Sequence, residues 1–328
     1  GPTKCTQWES FSTMVWNKDR RLNVQANILC QLYGLDSTAT CNAVAFLMDL
    51  YHQGIITEKD TDDVPMKRGD QRAILTAIEK IGKQEGFGKL FNNGVLGAAR
   101  EIGGDAEYCA MVVNAQELEP FEYRAFKSWA LAAATTDGSI SHSIAYLDMN
   151  WVLSREEAEK EAVKTYGSKK AAVPTEYDYK ALIVHNQEIK TTAGDLIGAC
   201  KWIWPWGIAS LEVPARLFSL ACDLEISEED LKSAARRVLT LERAWRARKG
   251  LRRDDMPGRL FEAPIPDGVF KGETLDRKGF DKMLDEYYQL HGWDEDGVPK
   301  EETFIEFDLA LELERFKVDR GKQDRENA

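Results

Sequence analysis

The chain is 328 residues long, 43% apolar and 10% aromatic, and 43 Lys and Arg stand against 55 Asp and Glu for a net charge of −12. That length suggests roughly two domains with cores of their own, and the composition excludes a disordered chain. The acidic balance argues against a nucleic-acid surface, which needs clustered Lys and Arg, and no apolar run reaches the ~20 residues of a membrane helix.

The opening residues, GPTKCTQWES, lack the apolar stretch of a secretory signal, although a Gly-Pro start is also what protease cleavage leaves behind. In chain order the pattern then reads as helices joined by short loops, with little period-2 alternation, so a mainly α fold is expected. Cys41 to Tyr51 reads as a helix. Asp70 to about Gln84 reads as a second, with Ile74, Leu75, Ile78 and Ile81 on one side. A third begins at Ser154, where Glu157 three residues on completes a capping box. The clearest helix runs from Ser227 to Arg248: Ser227 caps it, Glu228, Glu229 and Asp230 complement its positive start, and basic residues fill its last turns. Its stripe Leu231, Ala234, Val238, Leu241 and Trp245 is expected to face the core, and Gly250 to stop it. Arg277 to Leu290 is the last helix expected. Asn93-Gly94, Gly103-Gly104, Asp137-Gly138 and Asp267-Gly268 mark turns, and the polar end FKVDRGKQDRENA is expected to fray. The polar stretch NAQELEP at 114–120 suggests a boundary between domains 1–115 and 116–328.

Local motifs carry little chemistry. Six cysteines (Cys5, Cys30, Cys41, Cys109, Cys200, Cys222) are scattered without a CxxC, which fits a reducing, cytoplasmic compartment better than a disulfide framework. No HExxH and no GxSxG occurs. Cys30 and Cys41 read as small buried hydrophobes, GWDEDGVP at 292–299 as a plain turn rather than a calcium loop, and GFGKLFNNG at 86–94 as too weak for a dinucleotide loop.

Six blocks taken together say more. GLDSTATCNAVAFLMDLYHQGIIT (34–57), EGFGKLFNNGVLGAAREIG (85–103), RAFKSWALAAATT (124–136), GDLIGAC (194–200), LERAWRARKGLRRDDMPGR (241–259) and LDEYYQLHGWDEDGVP (284–299) follow one another in this order. In that order they resemble the tungsten-containing aldehyde:ferredoxin oxidoreductase family, in its C-terminal helical domains. The resemblance implies two helical domains, a tungsten (or molybdenum) ion held by two molybdopterin-type pterins, and a 4Fe-4S cluster beside it; magnesium is a further ion it allows. It implies oxidation of an aldehyde or related carbonyl substrate, with electrons leaving to ferredoxin or an iron–sulfur subunit in an anaerobic cytoplasm. A related tungsten enzyme that reduces an aromatic acyl thioester, benzoyl-CoA reductase-like, is the other activity within its range.

Residue by residue, Asp195-Leu196-Ile197-Gly198-Ala199-Cys200 resembles the family's second pterin loop, with Asp195, Gly198 and Ala199 toward the cofactor and Cys200 as the fourth cluster ligand. Gln31-Leu32-Tyr33-Gly34-Leu35-Asp36 resembles the first; Gln31 replaces an Asp, and Asp36 is either a cofactor contact or the N-cap of the next helix. His142 matches a histidine suited to proton transfer, and Glu9 a glutamate of the substrate pocket or else a solvated carboxylate. Arg124 and Lys127 face cofactor phosphates or are surface charge, and Cys5 lies near the metal or is a plain thiol. Trp202, Trp204 and Trp206 line an aromatic cavity or pack a core. Three departures stand against the match. The family's β-rich pterin-bearing domain and its C-x2-C-x3-C motif have no counterpart here, Ala125 replaces a glycine, and an S-P-R-G segment has become T-D-G-S. The remainder is therefore expected on another chain or in a segment outside this sequence; the alternative is a diverged, cofactor-free scaffold.

Overall fold

Helices supply nearly all the regular structure of the computed structural model, which describes residues 10–136, 153–199, 210–250 and 253–317. The chain forms two compact units, Gly1–Glu122 with Met256–Ala263, and Tyr123–Asp255 with Pro264–Ala328. Among the described residues the only sheet is a pair of two-residue antiparallel strands, β1 (Val112–Val113) and β2 (Gln116–Glu117). No described helix is long and apolar enough to cross a membrane.

Unit 1 is built on α1 (Arg20–Tyr33), α2 (Ser37–Gln53), α3 (Gln71–Lys83) and α4 (Gly94–Ile102). Each of the first three starts on an aspartate (Asp19, Asp36, Asp70) whose side chain accepts a backbone N–H of the first turn, which satisfies one of the helix's orphan donors. The helix expected over 70–84 is α3; Ala73, Ile74, Ala77, Ile78 and Ile81 are buried and Leu75 sits at the edge of the stripe. Cys30 and Cys41 are fully buried in the same core, as expected of small hydrophobes, and burial pushes the Cys30 thiol up to about 11. Gly88 is required by space: a Cβ there would lie 2.1 Å from the Lys80 carbonyl oxygen. Within the unit, the half-buried carboxylate of Asp49 takes Arg68 at 2.6 Å and Arg259 at 2.5 Å. Burial alone would raise its pKa, but the two guanidiniums outweigh burial and lower it.

Unit 2 holds α5 (Lys127–Thr135), α6 (Arg155–Tyr166), α7 (Lys180–Leu196), α8 (Glu212–Cys222), α9 (Glu228–Arg248) and α10 (Arg277–His291). Capping boxes start α6 at Ser154 with Glu157 and α9 at Ser227 with Asp230. One expectation is corrected. The stripe assigned to the core on α9 is rotated: Trp245 is 52% exposed and Ala234 is exposed, while Leu231, Ala235, Arg243, Ala244 and Ala247 are buried. Two arginines, Arg243 and Arg246, belong to the buried face, so a hydrophobicity pattern that counts arginine as polar turns the helix the wrong way. The 292–299 segment is a turn: Asp294 Oδ1 accepts from the amides of Asp296 and Val298 at 3.0 and 2.8 Å, and Trp293 bridges to Pro299.

Candidate functional site

Glu188, Thr192 and Asp195 lie four and three residues apart on α7, so all three face the same way. That face meets α9, α10 and the end of α5 around a cavity of about 460 Å³. Glu188, Thr192, Asp195 and Leu196 line one wall, Val238, Leu239, Glu242, Arg243 and Arg246 of α9 another, with Thr135, Thr136, Tyr287 and Trp293 completing it. The volume is within the usual range of ligand sites, and the lining is unusually rich in acids, hydroxyls and guanidinium groups.

Behind the cavity a polar network is packed into the interior. Asp254, fully buried, receives Arg243 at 2.8 and 3.0 Å and the Tyr288 hydroxyl at 2.6 Å. Arg243 Nε also donates to the Gly297 carbonyl, and Arg246 Nη1 to the Thr135 carbonyl at 2.6 Å. Glu188 is 5% exposed and accepts the Tyr287 hydroxyl at 2.6 Å; Thr135, beside Tyr287, donates its own hydroxyl to the Leu131 carbonyl at 2.9 Å. His291 stacks on Trp293 with ring centres 4.5 Å apart and meets His185 edge to face at 4.6 Å. Burial, with His291 next to it, pushes His185 down to about 4, and burial with Arg236 and Arg243 nearby pushes His291 down to about 3. His291 Nε2 is 3.4 Å from Glu188, a distance that suits an ion pair, yet it makes no hydrogen bond. The ring is buried and poorly aligned with the carboxylate, so the neutral form prevails.

The two loops expected to hold pterin end their helices in the same way. Gly198 (φ +72°) donates to Asp195 O and Ala199 to Gly194 O; Gly34 (φ +68°) donates to Gln31 O and Leu35 to Cys30 O. Both are Schellman endings, which need a residue in the left-handed region. A Cβ on either glycine would meet nothing within 4 Å, so the backbone there is open to a visitor. The ending is common (Gly54 and Ile55 repeat it on α2), so geometry alone does not single out these loops. What singles out the second is Asp195, an exposed carboxylate in the last turn of α7, where the helix dipole disfavours negative charge.

The remaining expected residues are dispersed. The Asp36 side chain caps α2, with Oδ1 accepting from Ala39 N at 2.7 Å, and Leu35 leans on the core of unit 1. Lys127 is 1% exposed; its ammonium donates to the carbonyls of Arg124 and Thr274 and sits 3.3 Å from Glu273. Arg124 is half-buried. Cys5, Glu9, His142, Cys200 and the tryptophans at 202, 204 and 206 lie outside the described residues. Glu188, Thr192, Arg243, Arg246 and Tyr287 were not singled out by the sequence; the one available signal was the four-then-three spacing of Glu188, Thr192 and Asp195.

The cavity suits a pterin: Asp195 and Glu242 are acceptors for ring N–H groups, Thr136, Thr192 and Arg246 are donors, and open backbone adjoins Gly198. An iron–sulfur cluster has no such match among the described residues. Among the described residues no three His, Cys, Asp or Glu side chains are placed to hold a metal ion; Cys30, Cys41 and Cys109 are buried thiols with raised pKa, and Cys222 is exposed.

The family model for aldehyde ferredoxin oxidoreductase, domains 2 and 3, matches residues 5–309. The tungsten-containing aldehyde ferredoxin oxidoreductase of Pyrococcus furiosus is 29% identical over 309 residues, which cover 92% of this chain and 48% of that protein. Its Pyrococcus abyssi counterpart is 28% identical, covering 94% and 49%. A P. furiosus aliphatic sulfonate oxidoreductase, WOR-like subunit, is 24% identical over 90% of this chain and 44% of its own. Among solved structures, the active site complex BamBC of benzoyl coenzyme A reductase with 1,5-dienoyl-CoA shares the fold at a TM-score of 0.77 and 23% identity, over 97% of this chain and 50% of that one. The chain thus spans about half the length of the curated relatives it matches.

Proposed function

The chain belongs to the aldehyde ferredoxin oxidoreductase family, of which it carries domains 2 and 3, and from that premise we propose that it is the C-terminal part of a tungsten–pterin oxidoreductase that oxidises an aldehyde to a carboxylic acid and passes the electrons through a four-iron cluster to ferredoxin or an iron–sulfur partner subunit. The observation that carries this reading is Asp195. A carboxylate at the negative end of α7, beside an open glycine and at the rim of a polar cavity, works against the local electrostatics of the helix and fits a site that receives N–H donors. When bound, the tungsten–pterin centre supplies two-electron exchange with a carbonyl carbon. In this reading Asp195 and Thr192 orient the pterin ring, and Arg246, fixed on the Thr135 carbonyl, presents positive charge to the same cavity. Gly34 opens the first loop in the same manner. His142 and Glu9 are the residues proposed to hold and move protons at the substrate, and Cys200 the one proposed for the cluster, with its remaining ligands outside this sequence.

Metal and cofactor analysis of the native assembly tests the reading. Tungsten or molybdenum, iron and oxidised-pterin fluorescence are expected; finding neither metal would end it. Asp195→Asn should lower pterin and tungsten content several-fold while leaving thermal stability equal or slightly higher, by about 0.5 kcal/mol, because a charge leaves the helix's negative end. A Cys5 that faces the metal would favour a second activity, reduction of an aromatic acyl thioester. Assay of an aldehyde and an aryl-CoA thioester side by side separates the two.

A further inference from the structure

Glu188 is buried and lines the cavity wall, yet the reading above gives it no proton-transfer role. On one side Tyr287 donates to it at 2.6 Å, and beside Tyr287 lies Thr135, the last residue of α5, whose hydroxyl donates to the Leu131 carbonyl at 2.9 Å. On the other side Thr192 and Asp195 follow Glu188 at one-turn intervals along the same cavity wall. Hydroxyl, phenol, carboxylate, hydroxyl and carboxylate therefore stand in a row from the end of α5 to the C-terminal loop of α7. The cavity between Glu188 and Asp195 has room for several waters.

We propose that Glu188 is the proton-exchange group of this cavity, passing protons between the Thr135–Tyr287 side and the Asp195 rim. The proposal rests on the oxidoreductase reading for the source of the protons. Oxidation of an aldehyde by water, RCHO + H2O → RCOOH + 2 H+ + 2 e−, sends its electron pair to two equivalents of a one-electron carrier of the ferredoxin class. One of the two protons forms an O–H bond on the Glu188 carboxylate; that bond breaks as the proton returns to cavity water and leaves past Asp195. Tyr287 takes part as a neutral hydroxyl that donates to Glu188, since burial and Glu188 hold the phenol far above its ordinary range. The charged and titratable groups that face Glu188 are His185 on its own helix, Glu242, Arg243 and Arg246 on α9, and Tyr287 and His291 on α10; α5 contributes the Thr135 hydroxyl. Neutral histidines keep the carboxylate from being locked in a permanent ion pair with either ring.

Glu188→Gln keeps the shape and the acceptor oxygen for Tyr287 but cannot take up a proton. In the native assembly it should lower kcat at least tenfold, with KM and tungsten content unchanged and a larger solvent deuterium effect. Infrared difference spectra across a pH titration should show the carbonyl band of a buried carboxyl group in the wild type and lose it in Glu188→Gln. Tyr287→Phe, which retains the carboxylate and removes its donor, should move that band's titration to higher pH; it serves also if the glutamine variant fails to fold. Wild-type kcat in Glu188→Gln together with an unchanged band overturns the proposal. An assembly without tungsten or redox activity sinks the functional reading instead, and the infrared titration then decides the role of Glu188 by itself.

Discussion

His185 and His291 carry a linkage that stability measurements will read directly. Both are neutral when folded, at about 4 and about 3, whereas an unfolded histidine takes a proton near 6.5. Between pH 4 and 6.5 the unfolded chain therefore binds more protons, and stability rises with pH across that window. Denaturant unfolding should lose on the order of 3 kcal/mol for His185 alone between pH 6.5 and 4, and His185→Gln should flatten that slope. At this scale the sequence was legible where a residue acts on its neighbours: Asp36 as an N-cap and Cys30 as a buried thiol need only local context. Lys127 was not. Its carbonyl and carboxylate partners at Thr274 and Glu273 stand 147 and 146 residues away, so no reading of RAFKSWALAAATT assigns it an interior ammonium clamp.

Helix ends were the most readable elements. Ser154 with Glu157 is a box that satisfies its own donors, so the start of α6 follows from four residues without tertiary help. The Schellman endings at Gly34 and Gly198 give a matched test, because neither glycine has a neighbour that a methyl group would strike. Gly34→Ala and Gly198→Ala should each cost about 1 kcal/mol in thermal unfolding, the backbone penalty of the left-handed region alone. Gly198→Ala should in addition reduce pterin retention if the loop's open backbone meets the cofactor. The face of α9 was misread for a specific reason: Arg243 and Arg246 are buried by pairing with Asp254 and a carbonyl, and those partners lie outside the helix.

Over the whole chain, fold class followed from periodicity and from six ordered blocks, while the cavity did not, since its walls come from five separate stretches of unit 2. Asp254 is what joins several of these stretches: it lies on no helix, yet it receives Arg243 of α9 and Tyr288 of α10. Arg243→Met leaves that carboxylate buried without its principal cation and should destabilise the chain by about 3–5 kcal/mol, measured by denaturant unfolding. Asp254→Asn, which keeps the shape but leaves the Arg243 guanidinium buried without its counter-charge, should cost a comparable amount.

Arg259 reaches Asp49 across 210 residues of sequence, within unit 1. During synthesis at ~5–20 residues per second, Asp49 leaves the ribosome roughly 10–40 s ahead of its second guanidinium. Through that interval Arg68 is the only one of its two guanidiniums present, beside the Gln53 amide. The earlier-made unit thus stays unfinished while most of the later one emerges, and a nascent chain stalled before residue 259 would present a half-neutralised acid to the chaperones around it.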